Sequence, residues 1–193
     1  MDKKLAIEGG NPAITIPKPH WRWLPASNSR HAAVAAYMTD ESDYADGYPK
    51  MVRAFEEKFT KYVGRPYALT LNSGTSALHA AYIAVSVTRG DEVIVPTLTL
   101  YATVTPLIDM GVTSIFCDAS PDTGNIAPED IRNRITTRTK AIAVTHLCGH
   151  PCDMDAIMAI AEENGIMVIE DCSHAHGATI DGKLVGAAAD IAI

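Results

Sequence analysis

The chain has no run of about 18 apolar residues, so no segment is expected to span a membrane. It has no Lys/Arg run longer than two residues and a formal net charge of -7, which argues against a nucleic-acid surface. Cysteine is sparse, with only Cys117, Cys148, Cys152 and Cys172. Cys148 and Cys152 form CxxxC rather than CxxC and no matching pair follows, so the ligand spacing of a zinc site is missing. The opening MDKKLAIEGGNP has basic residues but no apolar h-region, so no signal peptide is expected. Reduced thiols and a cytoplasmic location follow as expectations. The phosphate-binding pattern GxxxxGK[ST] and the dinucleotide pattern GxGxxG are also missing.

What is present is an ordinary globular composition. The 193 residues are 47% hydrophobic and 20% charged, enough for one sizeable core or one domain with an appendage. Residues 1–30 are rich in Pro, Gly and Trp and read as an extended arm, with Trp21 and Trp23 packing on the body or on another subunit. Residues 31–193 read as the main domain.

From residue 49 the pattern becomes regular. PKMVRAFEEKFTKYVG places Met51, Val52, Phe55, Phe59 and Tyr62 at helical spacing and ends on Gly64. YALTLN reads as a short strand and SGTSALHAAYIAVSV as a helix. DEVIVP, TSIFCDA, AIAVTHL and IMVIED read as strands; YATVTPLIDMG, APEDIRNRI and DMDAIMAIAEENG read as helices. ATIDGKLVG reads as a hairpin around Asp181-Gly182. Strands alternating with helices, several of them continuous apolar runs, predict an α/β fold with a mostly parallel sheet covered by helices on both faces.

In such sheets ligands gather outside the carboxyl ends of the strands. Three polar clusters fall there. In NSGTSAL, Gly74 allows close backbone approach, and the N–H groups of Thr75 and Ser76 open a helix; this is a phosphate cradle or a plain cap made by Ser73 or Thr75. PTLTLYAT is a plain polar strand-to-helix loop, or a place where a side chain covers one face of a flat ligand. In VIEDCSHAHGA, Asp171 sits just past a strand, where a carboxylate can pair with a protonated ring nitrogen or, buried, cap a neighbouring turn. His174 and His176 are within reach of the same place. As metal ligands, Asp171, His174 and His176 have no standard spacing, so no metal is expected. As a triad, Cys172 or Ser173 stands too close in sequence to His174. His146, Cys148 and His150 fall near the crevice by the same strand-end reasoning. A flat phosphorylated pyridine fits all three clusters, which points to pyridoxal 5'-phosphate.

FEEKFTKYVG, LNSGTSALHAA, GDEVIVPTLT, ATVTPL, TKAIAVTHLCGHPCDMDAI and VIEDCSHAHGA...GKLVG together resemble the DegT/DnrJ/EryC1/StrS family of sugar and cyclitol aminotransferases. LAIEGGNPAI is similar to the family's arm. The resemblance implies the aspartate-aminotransferase-like (type I) large domain, with pyridoxal phosphate as cofactor. It implies that Gly74, Thr75 and Ser76 hold the cofactor phosphate, that Asp171 pairs with the pyridine nitrogen, and that His174 lies near the ring hydroxyl. It implies glutamine or glutamate as amino donor and a keto-sugar or keto-cyclitol as acceptor.

Two departures from the family pattern stand out. The position of the family's ring-stacking aromatic is Leu100, with Tyr101 one residue later. Leucine packs without aromatic stacking, so Tyr101 substitutes or the cofactor is held more weakly. The family's Schiff-base lysine lies beyond AADIAI, where these residues stop; Lys140 and Lys183 are poor replacements, and the small C-terminal domain is absent from the sequence. The expectation is a cofactor-binding half that needs a second chain to supply the lysine, in a homo- or hetero-oligomer. The alternatives are a non-catalytic regulatory or scaffold subunit and an inert truncated fragment.

Overall fold

The computed structural model describes residues 4–12, 15, 27–39 and 47–193. Trp21, Trp23 and most of the expected arm lie outside the described residues. The chain divides into two compact units, Met1–Pro49 and Lys50–Ile193. In the first, a short 3-10 turn at Ala6–Glu8 and helix α1 (Asn28–Thr39) are described, and neither buries a residue.

The second unit carries the sheet. Helix α2 (Lys50–Val63) is followed by α3 (Gly74–Ala84), β1 (Glu92–Pro96), α4 (Thr105–Met110), β2 (Thr113–Cys117), α5 (Pro128–Arg134), β3 (Thr139–Thr145), α6 (Met154–Asn164) and β4 (Met167–Asp171). The hairpin β5 (Thr179–Ile180) and β6 (Lys183–Leu184) precedes β7 (Ile191–Ala192). The main sheet has the order β2-β1-β3-β4-β7, and its neighbours are all parallel.

Alternation along the strands sorts the core into two layers. Ile94, Ile142, Val144 and Val168 pack with Ile131 of α5 and Ile157 and Ile160 of α6. Val93, Val95, Ala141, Ala143 and Ile169 pack with Leu78 and Tyr82 of α3 and Leu107 of α4. The expected parallel sheet with helices on both faces is therefore observed. Each fully buried Val or Ile contributes about 1.5–3 kcal/mol relative to exposure.

Local signals explain the element ends. Ser73 caps α3 by accepting from Ser76 N, and Asp153 caps α6 by accepting from Ala156 N. Pro stands in the first turn of α4 and of α5, where its missing N–H costs nothing. Asp181 (φ 49) and Gly182 (φ 80) are both left-handed, the geometry a two-residue hairpin needs.

One expectation is corrected. YALTLN is not a strand: residues 67–72 pair with no neighbour, and Tyr67 and Leu69 are exposed. A strand exists only through its hydrogen-bonding partner, and none stands beside this segment among the described residues. The helix expected from the spacing of Met51, Val52, Phe55, Phe59 and Tyr62 is observed as α2, and much of its apolar stripe is exposed. Met51, Phe55 and Tyr62 are exposed, while the buried residue of this helix is Glu56, whose Oε1 accepts from Thr70 N at 2.6 Å.

Candidate active site at the carboxyl ends of the strands

The chain runs from β1 outward to β2 and then returns to the other side of β1 as β3. The loops leaving β1 and β3 therefore diverge, and this switch point is where open α/β sheets hold ligands. Helix α3 hands the chain to the start of β1, so its axis opposes the strands. Its amino end, residues 73–76, lies toward their carboxyl ends.

Asp171 ends β4 and is 7% exposed. By alternation it shares a face with Ile169, the face covered by α3 and α4. Its register partner on β3 is Thr145, which is buried on the same face. Thr145 Oγ1 lies 3.0 Å from Thr99 Oγ1, and Thr99 Oγ1 lies 2.9 Å from Thr103 Oγ1. These three hydroxyls tie the loop after β1 to the end of β3. Leu100 and Tyr101 sit on that loop, 55% and 74% exposed. Tyr82 of α3 donates its hydroxyl to Thr103 O at 2.8 Å. Burial, and then the charge of Asp171, push the Tyr82 phenol well above its ordinary value, so it stays a neutral donor.

The carboxylate of Asp171 is held from one side. Ser173 N donates to Oδ1 at 2.9 Å and Ser173 Oγ donates to the same oxygen at 2.6 Å. No described residue donates to Oδ2.

At the amino end of α3 the cap reading is observed, with Ser73 as the capping residue. Ser73 Oγ accepts from Ser76 N at 3.1 Å and donates to Ser76 Oγ at 2.9 Å. The expectation of a free Ser76 N–H is thereby corrected: in this first turn Ser76 N and Ala77 N are bonded to Ser73, and the N–H groups left open are those of Gly74 and Thr75. A Cβ added at Gly74 would meet nothing within 4 Å, so open space lies before the helix end.

His174 and His176 are exposed, and Gly149 approaches the His174 carbonyl. Cys148 and His150 are exposed as well. Lys140 is exposed at the start of β3, the opposite end of the sheet, and Lys183 is exposed on the hairpin. His146 is not in the crevice but fully buried on the other face, where Nε2 lies 2.8 Å from Glu170 Oε1. Its Nδ1 accepts from Cys152 N at 2.9 Å, so the ring proton sits on Nε2 and is donated to Glu170.

Glu170 also accepts from Gly186 N at 2.7 Å and Ala189 N at 3.3 Å. Burial pushes its pKa up, but the donors from His146, Gly186 and Ala189 outweigh burial and hold it below the usual glutamate value. Ligand atoms of His146, Glu170 and Cys172 lie within 4.8 Å of one another. The imidazole is already bonded at both nitrogens. Burial, then the charges of Glu170 and Asp171, push the Cys172 thiol far up, so the group is a closed hydrogen-bond cluster rather than an open ligand set. Sequence reasoning missed the partnership of Glu170. The available signal was strand alternation, which turns adjacent Glu170 and Asp171 to opposite faces and obliges the deeper one to find a partner.

All four cysteines are free thiols. Among the described residues no helix is long and apolar enough to cross a membrane.

The residues that would hold a flat phosphorylated cofactor match the chemistry of pyridoxal phosphate. An open helix end offers free N–H groups to a phosphate, and a buried carboxylate offers one free oxygen to a ring nitrogen.

Relatives bear on this reading. Residues 28–193 match the DegT/DnrJ/EryC1/StrS aminotransferase family. The chain is 42% identical over 151 residues to GDP-perosamine synthase of Escherichia coli O157:H7, covering 78% of this chain and 42% of that protein. It is 38% identical over 193 residues to L-glutamine:2-deoxy-scyllo-inosose aminotransferase of Streptomyces fradiae, covering 98% of this chain and 45% of that protein. The aminotransferase from Psychrobacter cryohalolentis superposes with a TM-score of 0.82 at 38% identity, over 88% of this chain and 43% of that one. GDP-4-keto-6-deoxy-D-mannose-3-dehydratase of Escherichia coli, solved with bound hydrated PLP, superposes with a TM-score of 0.75 at 29% identity, over 83% of this chain and 42% of that one. The chain thus spans less than half the length of these relatives, and its α/β architecture is part of the type I fold they share. By sequence match and by structure, this chain belongs to the DegT/DnrJ/EryC1/StrS aminotransferase family.

Proposed function

We propose that these residues form the cofactor-binding part of a pyridoxal-phosphate aminotransferase. The observation that carries the proposal is Asp171, a buried carboxylate with one oxygen bonded and the other open, at the carboxyl end of β4, next to β3. Bound here, the cofactor supplies an electron sink and a temporary carrier for the amino group. The N–H groups of Gly74 and Thr75, with the Thr75 and Ser76 hydroxyls, bind its phosphate. Asp171 holds the proton on the ring nitrogen. Leu100 and Tyr101 cover one face of the ring and keep water off it. His174 lies beside the ring hydroxyl.

The substrates follow from the relatives. The amino donor is glutamine or glutamate, and the acceptor is a keto-sugar or a keto-cyclitol. The lysine that completes the reaction comes from outside these 193 residues, and a second polypeptide is one source of it, within a homo- or hetero-oligomer. A non-catalytic subunit is the second reading. The exposed, non-aromatic Leu100 at the stacking position favours it, because a site that need not hold the ring need not stack on it.

The test is absorbance of pyridoxal phosphate mixed with the purified chain, before and after borohydride, alone and with a co-expressed C-terminal-half chain. Cofactor that binds without being fixed to this chain, and becomes fixed to the second, supports the split enzyme. Fixation to Lys140 or Lys183 would overturn the assignment of the lysine. No binding in either setting would favour the non-catalytic reading.

A further inference from the structure

We propose that Ser173 is a positioning residue that fixes the plane in which the Asp171 carboxylate presents its free oxygen to the ring nitrogen. The inference rests on the cofactor-binding reading above. A carboxylate is two-fold symmetric about its terminal torsion, and that torsion is soft. Left alone in a crevice, Asp171 could sample a wide range of tilts. Ser173 removes this freedom by placing two donors on one oxygen, N–H at 2.9 Å and O–H at 2.6 Å. The second distance is that of a charge-assisted O–H···O bond. Two donors at one atom fix the carboxylate plane and leave Oδ2 as the free acceptor.

The support itself is held firmly. Cys172 N donates to Ile193 O at 2.8 Å and Ala175 N donates to Cys172 O at 2.8 Å, so the turn around Ser173 is bonded on both sides. Ser173 is exposed, so shortening it disturbs no packing. Its hydroxyl is separable from its backbone: alanine keeps the N–H bond and deletes only the O–H bond.

The test compares two probes on the full chain, pyridoxamine 5'-phosphate and its 1-deaza analogue, in which carbon replaces the ring nitrogen. Neither needs a lysine to bind. Calorimetry gives both affinities for the unmodified chain, for Ser173→Ala and for Ser173→Thr. The expected result is that Ser173→Ala weakens the pyridine probe by about tenfold and the deaza probe hardly at all. Ser173→Thr, which keeps a hydroxyl, restores the pyridine affinity. An equal loss for both probes, or no loss for either, would overturn the positioning role while leaving cofactor binding intact. No binding of pyridoxamine phosphate to the unmodified chain would overturn the cofactor-binding reading, and this inference with it.

Discussion

At Glu170 the chain buries a carboxylate completely and surrounds it with three donors, from His146, Gly186 and Ala189. Such a group ties pH to stability. Its folded pKa lies below the ordinary value of about 4.3, so its contribution is fully present above that pH and is lost as pH falls through the lowered folded value. In Glu170→Gln the side-chain NH2 must face a backbone N–H, leaving donors opposed. Urea unfolding at pH 7 should show a loss of about 1–3 kcal/mol. The same series repeated below about pH 4 should show a shallower acid slope than the unmodified chain; an identical slope would remove Glu170 from the acid response. At this scale the sequence showed a good deal. The position of Asp171 at the end of β4 was legible because the apolar run before it reads as a strand, and capping a turn, as it does at Ser173, was one of its expected uses. The grip of Ser173 and the burial of His146 were not, because both depend on the path of a turn and on which face a side chain takes.

The amino end of helix α3 is capped by one residue and leaves two neighbouring amides open. Ser73 takes the Ser76 N–H, and the N–H groups of Gly74 and Thr75 stay open. Gly74 has ordinary helical backbone and empty space where a Cβ would go. Gly74→Ala should therefore raise stability by about 0.4–1 kcal/mol through the unfolded chain, read as a small rise in thermal midpoint. The same methyl group stands where a phosphate would approach, so affinity for pyridoxamine phosphate should fall by about tenfold or more. Stability and binding moving together in the same direction would sink the cradle assignment. Most elements were legible, because β1, β3 and β4 are unbroken apolar runs and the helices carry caps. Residues 67–72 were misjudged for one reason. Periodicity reports which side of a segment is apolar, not whether anything stands opposite it. Strand β7 was invisible because two residues hold no period.

For the whole molecule, the parallel order of the central strands fixes where cooperative stability resides. Val93, Ile94, Val95, Ile142, Val144, Val168 and Ile169 are fully buried between two helical layers. Amide hydrogen exchange should be slowest in β1, β3 and β4. It should be fast in residues 67–72, which have no ladder, and in the hairpin β5–β6, which pairs only with itself. Mass spectrometry of exchanged peptides checks this ordering. Protection at 67–72 matching that of β3 would mean that another layer covers the segment in solution. The family, with its alternating strands and helices, was legible from motifs spread along the chain. The order of strands was not, because no local pattern states that β3 returns beside β1.

The segment after Gly186 has a mechanical consequence. Arg65 donates to the carbonyls of Ala187, Ala189 and Asp190, while Glu170 receives the amides of Gly186 and Ala189 from the other side. Asp190 in turn accepts from Val168 N, and Ile193 bonds both Glu170 and Cys172, the residues flanking Asp171. A pull on Ile193 along the sheet would load these parallel bonds in shear, all at once, instead of opening them one by one. The strand end is therefore a stiff lever, and a displacement imposed there reaches the carboxylate of Asp171 with little slack between.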